Sequence, residues 1–230
     1  MKINAIILIS CLILALCNQA TAQTNTKEEP AKASATLDNT SEKNLTIQEK
    51  AKLLIQIEQY LNSLTTIKAD FAQNSSNGSS CDGVFYLNRP GKMRIDYKEP
   101  MNVEIVADGR FLVYHDISLE QITYMNLETS PAGILLKDKI AFNDDYVSVK
   151  DVVTYSNTIE ITLNYQNDTS AEVTLIFSKE PLALKQWRVL DAHSITTVIS
   201  LYNVEKGINL DSSLFKFVDP RRPNPLKDRR

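Results

Sequence analysis

From Val84 to Asn203 apolar and polar residues alternate in short runs. Ile159, Ile161 and Leu163 interleave with Thr158, Glu160 and Thr162; Ala171, Val173, Leu175 and Phe177 interleave with Glu172, Thr174 and Ser178. Successive side chains of a strand point to opposite faces, so this pattern predicts strands with one wet face and one apolar face. Such β-prone runs fall at Val84–Leu87, Met93–Tyr97, Val103–Ala107, Phe111–His115 and Gln121–Tyr124. Others follow at Tyr146–Val149, Thr158–Tyr165, Ala171–Ser178, Leu182–Leu190 and Thr196–Asn203, with a last piece at Phe215–Val218. Asp108-Gly109 is a two-residue hairpin signal, and Asn167-Asp168 and Ala192-His193-Ser194 mark further turns. Short loops imply antiparallel pairing. About eleven strands make a sheet large enough to curl its apolar face inward, so the pattern predicts a mainly β fold, an incomplete antiparallel β-barrel.

Two segments follow the helical period instead. Thr46-x-x-Glu49 is a capping box, and Ile47, Ala51, Leu54, Ile57, Leu61 and Leu64 recur at three- and four-residue steps. They predict an amphipathic helix of about five turns. Ser130-Pro131 sets an N-cap and a first-turn proline before Ala132–Leu136, which predicts a short apolar helix in mid-sheet sequence. With the first helix it would cover the open curl as a lid of short α-helices.

The ends carry different information. Lys2, the apolar run Ala5–Leu16 and Ala20-Thr21-Ala22 make an export signal over residues 1–22, cut before Gln23. That run is too short to span a bilayer, which takes roughly 20 residues. Leu8-Ile9-Ser10-Cys11 resembles a lipobox but leaves apolar chain unused behind the cysteine. Residues 23–44, rich in Thr, Ser, Lys and Glu, read as a flexible leader. Residues 45–220 form one folded domain, and 221–230 is a basic tail with Pro223 and Pro225. The full chain carries a net charge of −3, which argues against a nucleic-acid partner. Cys11 and Cys17 leave with the signal, so Cys81 remains without an internal disulfide partner.

Chemistry-bearing constellations are missing from the sequence. His115 and His193 lie far apart, no cluster has metal-ligand spacing, and neither a phosphate loop nor a nucleophile elbow occurs. His115-Asp116 reads as a polar pair at a strand end rather than part of a triad. The expectation is therefore no enzyme, no catalytic residue, no metal and no cofactor.

Several stretches together are similar to one family. They are Leu61-Asn62-Ser63-Leu64, Ala69-Asp70-Phe71-Ala72-Gln73, Gly83-Val84-Phe85 and Arg89-Pro90-Gly91-Lys92-Met93-Arg94-Ile95-Asp96-Tyr97. Ala107-Asp108-Gly109, Tyr114, Leu119-Glu120-Gln121, Ser130-Pro131, Trp187 with Asp191, Asn203-Val204 and Leu214-Phe215-Lys216-Phe217 continue the set. In this order they resemble the LolA family of outer-membrane lipoprotein carriers. His193-Ser194 stands where that family usually has a glycine-containing turn, and Ile95 where an aromatic is usual.

The resemblance implies an incomplete barrel under a helical lid. It also implies a periplasmic carrier, a monomer, that takes acylated lipoproteins from an inner-membrane lipoprotein-releasing transporter to an outer-membrane lipoprotein receptor. Met93, Ile95 and Tyr97 share one strand face, Ile105 would lie on the neighbouring strand, and Ile134 and Leu135 on the short helix. With the resemblance these six are expected to bind acyl chains; without it they read as a closed core. Arg89 shares their parity, and its five donors suit carbonyls at helix C-termini. The resemblance implies that it latches the empty lid, whereas Arg-Pro before glycine is otherwise an exposed turn. Three other readings compete: a lipid-anchored receptor, a periplasmic sensor on the same fold, and a hydrolase.

Overall fold

Helix α1 (Ile47–Ser63) starts on its capping box: Thr46 Oγ1 accepts the Glu49 amide at 3.3 Å, and the Glu49 carboxylate accepts the Thr46 amide at 2.8 Å. The structure is a computed structural model that describes residues 45–127, 133–142, 147–165 and 168–221. The export signal, the leader, Ser130-Pro131 and the tail from residue 222 lie outside the described residues. The apolar stripe of α1 engages only from Leu53 onward. Ile57 and Leu61 are buried, whereas Ile47 and Ala51 are exposed.

Eleven strands follow: β1 (Thr66–Ser75), β2 (Ser80–Asn88), β3 (Lys92–Tyr97), β4 (Val103–Asp108), β5 (Phe111–Asp116), β6 (Gln121–Asn126), β7 (Val147–Thr154), β8 (Thr158–Tyr165), β9 (Asp168–Lys179), β10 (Leu182–Leu190) and β11 (Thr196–Lys206). They form one sheet in the order β6-β5-β4-β3-β2-β1-β11-β10-β9-β8-β7, every neighbour antiparallel. Among the described residues the only non-sequential pairing joins β1 to β11; β6 and β7 are the edges, so the barrel is incomplete as the pattern predicts. Laid flat, such a sheet would be about 48 Å wide. Instead, residues from all eleven strands and from α1 share one core, which requires the sheet to curl around the helix.

Two expectations about elements fail, and they offset each other in the count. β1 is missing from the sequence reading, because Lys68, Asp70, Gln73 and Asn74 break its apolar signal; yet Ile67, Ala69, Phe71 and Gln73 alternate inward. Phe215–Val218 is not a strand. A 3-10 turn (Ser212–Phe215), capped by Asp211, packs on β3 and β4. The chain after it runs along the convex face. There Phe217 meets His115 and Tyr124 edge-on, and the Tyr124 hydroxyl donates to Asp219 at 3.1 Å. The two helices follow the expected helical period and order. α1 is 17 residues long, while α2 (Gly133–Leu136) is a single turn.

The turns follow their local chemistry. Asp108 accepts the amides of Arg110 and Phe111, and Gly109 takes φ +103° between β4 and β5. Ser194 holds φ +61°, a left-handed conformation that favours glycine, in the turn where the family usually has one. Buried Asp191 steadies that turn by accepting the amides of His193 and Ile195.

Candidate functional site

The register lays the apolar residues out in rows across the concave face. Leu87, Met93 and Ala107 form one row, opposite one another on β2, β3 and β4. Phe85, Ile95, Ile105 and Tyr114 form the next, and Gly83 with Tyr97 the one after. Four of the six residues expected to meet acyl chains therefore lie on one face of adjacent strands. Their exposure divides them. Met93 and Ile105 are packed in the core, whereas Ile95 and Tyr97 are only half-buried. Leu135 is half-buried on α2, and Ile134 occupies the same turn. The Leu136 carbonyl accepts the Gly91 amide at 2.8 Å, which ties α2 to the turn between β2 and β3.

Gly83 sets the middle of this face. A Cβ there would fall 2.1 Å from the Asp96 carbonyl and 2.7 Å from the Phe71 ring. The ring thus lies over bare backbone, and Tyr97 packs against it edge-on with centroids 5.3 Å apart. The Tyr97 hydroxyl donates to Gln73 Oε1 at 3.1 Å.

Arg89 follows β2 and turns its guanidinium to carbonyls of both covering segments. Nη1 donates to Leu61 at 2.6 Å and Leu64 at 3.3 Å, at the end of α1. Nε and Nη2 donate to Lys137 at 3.0 and 2.6 Å, and Nη2 reaches Asp138 at 3.1 Å, just past α2. A cation at these carbonyls is favoured by the dipole of α1 and fills bonds the helix end leaves open. Burial pulls the guanidinium's pKa down, and Asp138 opposes that.

The sequence reading assigned no role to Asn62 or Glu58, yet both bind the same junction. The Asn62 amide accepts from the Ile140 N–H at 2.8 Å and donates to its carbonyl at 2.9 Å, and it accepts from Arg89 at 3.3 Å. Glu58 accepts the Phe142 amide at 2.8 Å. The available signal is Asn62 at the penultimate position of an amphipathic helix, beside buried Leu61.

Among the described residues His115 and Asp116 do not come together. His115 lies on the convex face, its Nδ1 3.0 Å from Glu104, while Asp116 faces inward and accepts the Leu119 amide. The two are therefore on opposite sides of the sheet. Glu104 also receives Arg94 at 2.8 Å, beneath the C-terminal segment. No group of three His, Cys, Asp or Glu among the described residues could hold a metal ion. No helix of the described residues is long and apolar enough to cross a membrane.

The family model for the outer membrane lipoprotein carrier protein LolA matches residues 62–218. The chain belongs to the LolA family. It is 29% identical over 182 residues to an outer-membrane lipoprotein carrier protein of Methylococcus capsulatus, a match covering 76% of this chain and 87% of that one. A carrier protein of Ralstonia nicotianae is 25% identical over 192 residues, covering 77% and 88%. Among solved structures, a LolA superfamily protein of Nitrosomonas europaea aligns over 73% of this chain and 97% of its own, with 12% identity and a TM-score of 0.43.

Proposed function

We propose that this LolA-family chain is a periplasmic carrier that shelters the acyl chains of lipoproteins on its concave face. The observation that carries the reading is a curled sheet whose inner face includes half-buried apolar residues, Ile95, Tyr97, Trp187 and Val189, with half-buried Leu135 on α2 and the Arg89 hydrogen bonds to helix-end carbonyls. A carrier needs such a face. At about 0.8 kcal/mol per methylene, one chain of roughly a dozen methylenes resists entering water by about 10 kcal/mol. Covering three such chains removes that barrier without making or breaking a bond, and no enzyme chemistry is invoked.

In this reading the cargo enters from an inner-membrane transporter and leaves to an outer-membrane receptor, and the carrier acts as a monomer. Met93, Ile95, Tyr97, Ile105, Ile134 and Leu135 serve the acyl chains. Arg89 holds α1 to the segment after α2 when the cup is empty. Relatives bearing the carrier name support the role. The test is to isolate the protein from periplasm and examine what accompanies it by mass spectrometry. Acylated proteins are expected at one per carrier; their absence from a folded, native preparation would overturn the reading.

A further inference from the structure

Along β1 the apolar lining of the concave face stops at Gln73. The inward positions there run Ile67, Ala69, Phe71, then Gln73 and Ser75. Gln73 is 2% exposed, and its Nε2 has no hydrogen-bond partner among the described residues. Two residues further, Ser75 and Thr197 pair their hydroxyls at 2.9 Å. The half-buried Tyr97 hydroxyl reaches Gln73 Oε1 from β3. Together they make a polar band across β3, β1 and β11, at the end of the strands away from Arg89.

A buried amide normally makes its bonds, and a bare N–H₂ is costly. Here the amide is also held: Tyr97 donates to the oxygen, which directs the N–H₂ elsewhere. Tyr97 is itself fixed by Phe71, whose ring lies over Gly83. The group therefore offers donors and lacks an acceptor. Alkyl chains have no acceptor, but each chain of a lipid-modified protein ends in an ester or amide carbonyl, where the apolar part meets the polar part. The site has the same boundary, with Phe71 and Ile95 on one side and Gln73, Ser75 and Thr197 on the other.

From this match we infer that Gln73 is a binding residue for acyl carbonyl oxygens, and so fixes how deep each cargo chain enters the cup. The inference rests on the carrier reading and adds polarity and depth to it. Tyr97 is the positioning residue for the Gln73 amide.

Two probes that differ in one group test it: monododecanoylglycerol, an ester, and dodecylglycerol, the matching ether. Their affinities are measured by calorimetry with the purified protein, below the concentration at which the probes form micelles. The protein should prefer the ester by about three- to tenfold, the effect of one neutral hydrogen bond. Gln73→Met, which keeps the chain length and loses the donors, should bring the ratio to about one. Gln73→Asn, which withdraws the amide by a methylene, should do the same and guards against a folding defect in the first variant. Tyr97→Phe should lower the ratio part of the way. A ratio near one in the original protein, or an ester preference that survives both Gln73 variants, overturns the inference. Binding of neither probe overturns the carrier reading itself.

Discussion

Phe85 and Trp187 meet with ring centroids 5.9 Å apart, although β1 and β11 lie between their strands. On a flat sheet three inter-strand spacings would hold them about 14 Å apart. The sheet is therefore sharply curled at this point, and Trp187 looks across the concave face. It is the only tryptophan in the chain. We predict that its emission shifts to the blue as an acyl ligand displaces water from the half-buried ring. An unchanged spectrum through a titration that calorimetry shows to be saturating would place the chains elsewhere.

Ile95 and Met93 separate binding from folding. Ile95→Glu puts a carboxylate where some water already reaches, so uptake should fail with a modest loss of stability, on the order of 1–2 kcal/mol. Met93→Glu buries an unpaired charge in the core and should cost several kcal/mol. Urea melts and lipoprotein uptake by both variants give the comparison. Normal uptake by Ile95→Glu would remove that residue from the binding face.

Arg89→Leu should load cargo yet release it slowly. It deletes the bonds from one guanidinium to the carbonyls of Leu61, Leu64, Lys137 and Asp138. Bonds to a charged group contribute about 1.5–3 kcal/mol, so the balance should move from closed and empty to open and loaded by roughly tenfold or more. Transfer from loaded carrier to acceptor membranes measures this directly. Release at the original rate would refute the latch.

Gly83→Ala should be among the most damaging single changes. Its methyl group would collide with the Asp96 carbonyl, which belongs to the β2–β3 ladder, and with the Phe71 ring. Neither can move without disturbing the sheet, so a loss of about 3 kcal/mol is expected in a thermal or urea melt.

Acid should loosen the start of α1. The Lys50 ammonium, donating to Asp151 at 3.1 Å, and then the Val152 amide hold that carboxyl below the usual aspartate range. A folded-state pKa below the unfolded value gives stability that is complete above the ordinary aspartate pKa. It is lost as pH falls through the lowered one. The pair is about half-exposed, so the effect is small. Asp151→Asn should flatten this part of the acid limb in melts taken across that range, and a slope identical in both proteins would count against the pair.

Strands β2 to β11 are legible in sequence as short β-prone runs, helped by alternation in β8 and β9 and by Asp108-Gly109 and Asn167-Asp168 between runs, although β5 is buried on both faces. β1 was hidden for the same physical reason that makes it interesting. An inward Gln73 looks like an outward residue when only alternation is read. The C-terminal segment misled in the opposite way, since Phe215 and Phe217 are spaced like a strand but bury on a turn and on the convex face. Arg89 is singled out by parity and by the family resemblance, whereas Asn62 and Glu58 need the fold, because their partners at Ile140 and Phe142 are 78 and 84 residues away.

A closed barrel has a girth set by its strand number and stagger. Here the ladder ends at β6 on one side and β7 on the other. The sheet is a cuff with a seam, and no strand ladder among the described residues crosses that seam. Among the described residues the shared core, the bonds of Arg89, Asn62 and Glu58 at α1 and the Gly91–Leu136 bond hold it, so the circumference is set by packing and fastenings rather than by strand number.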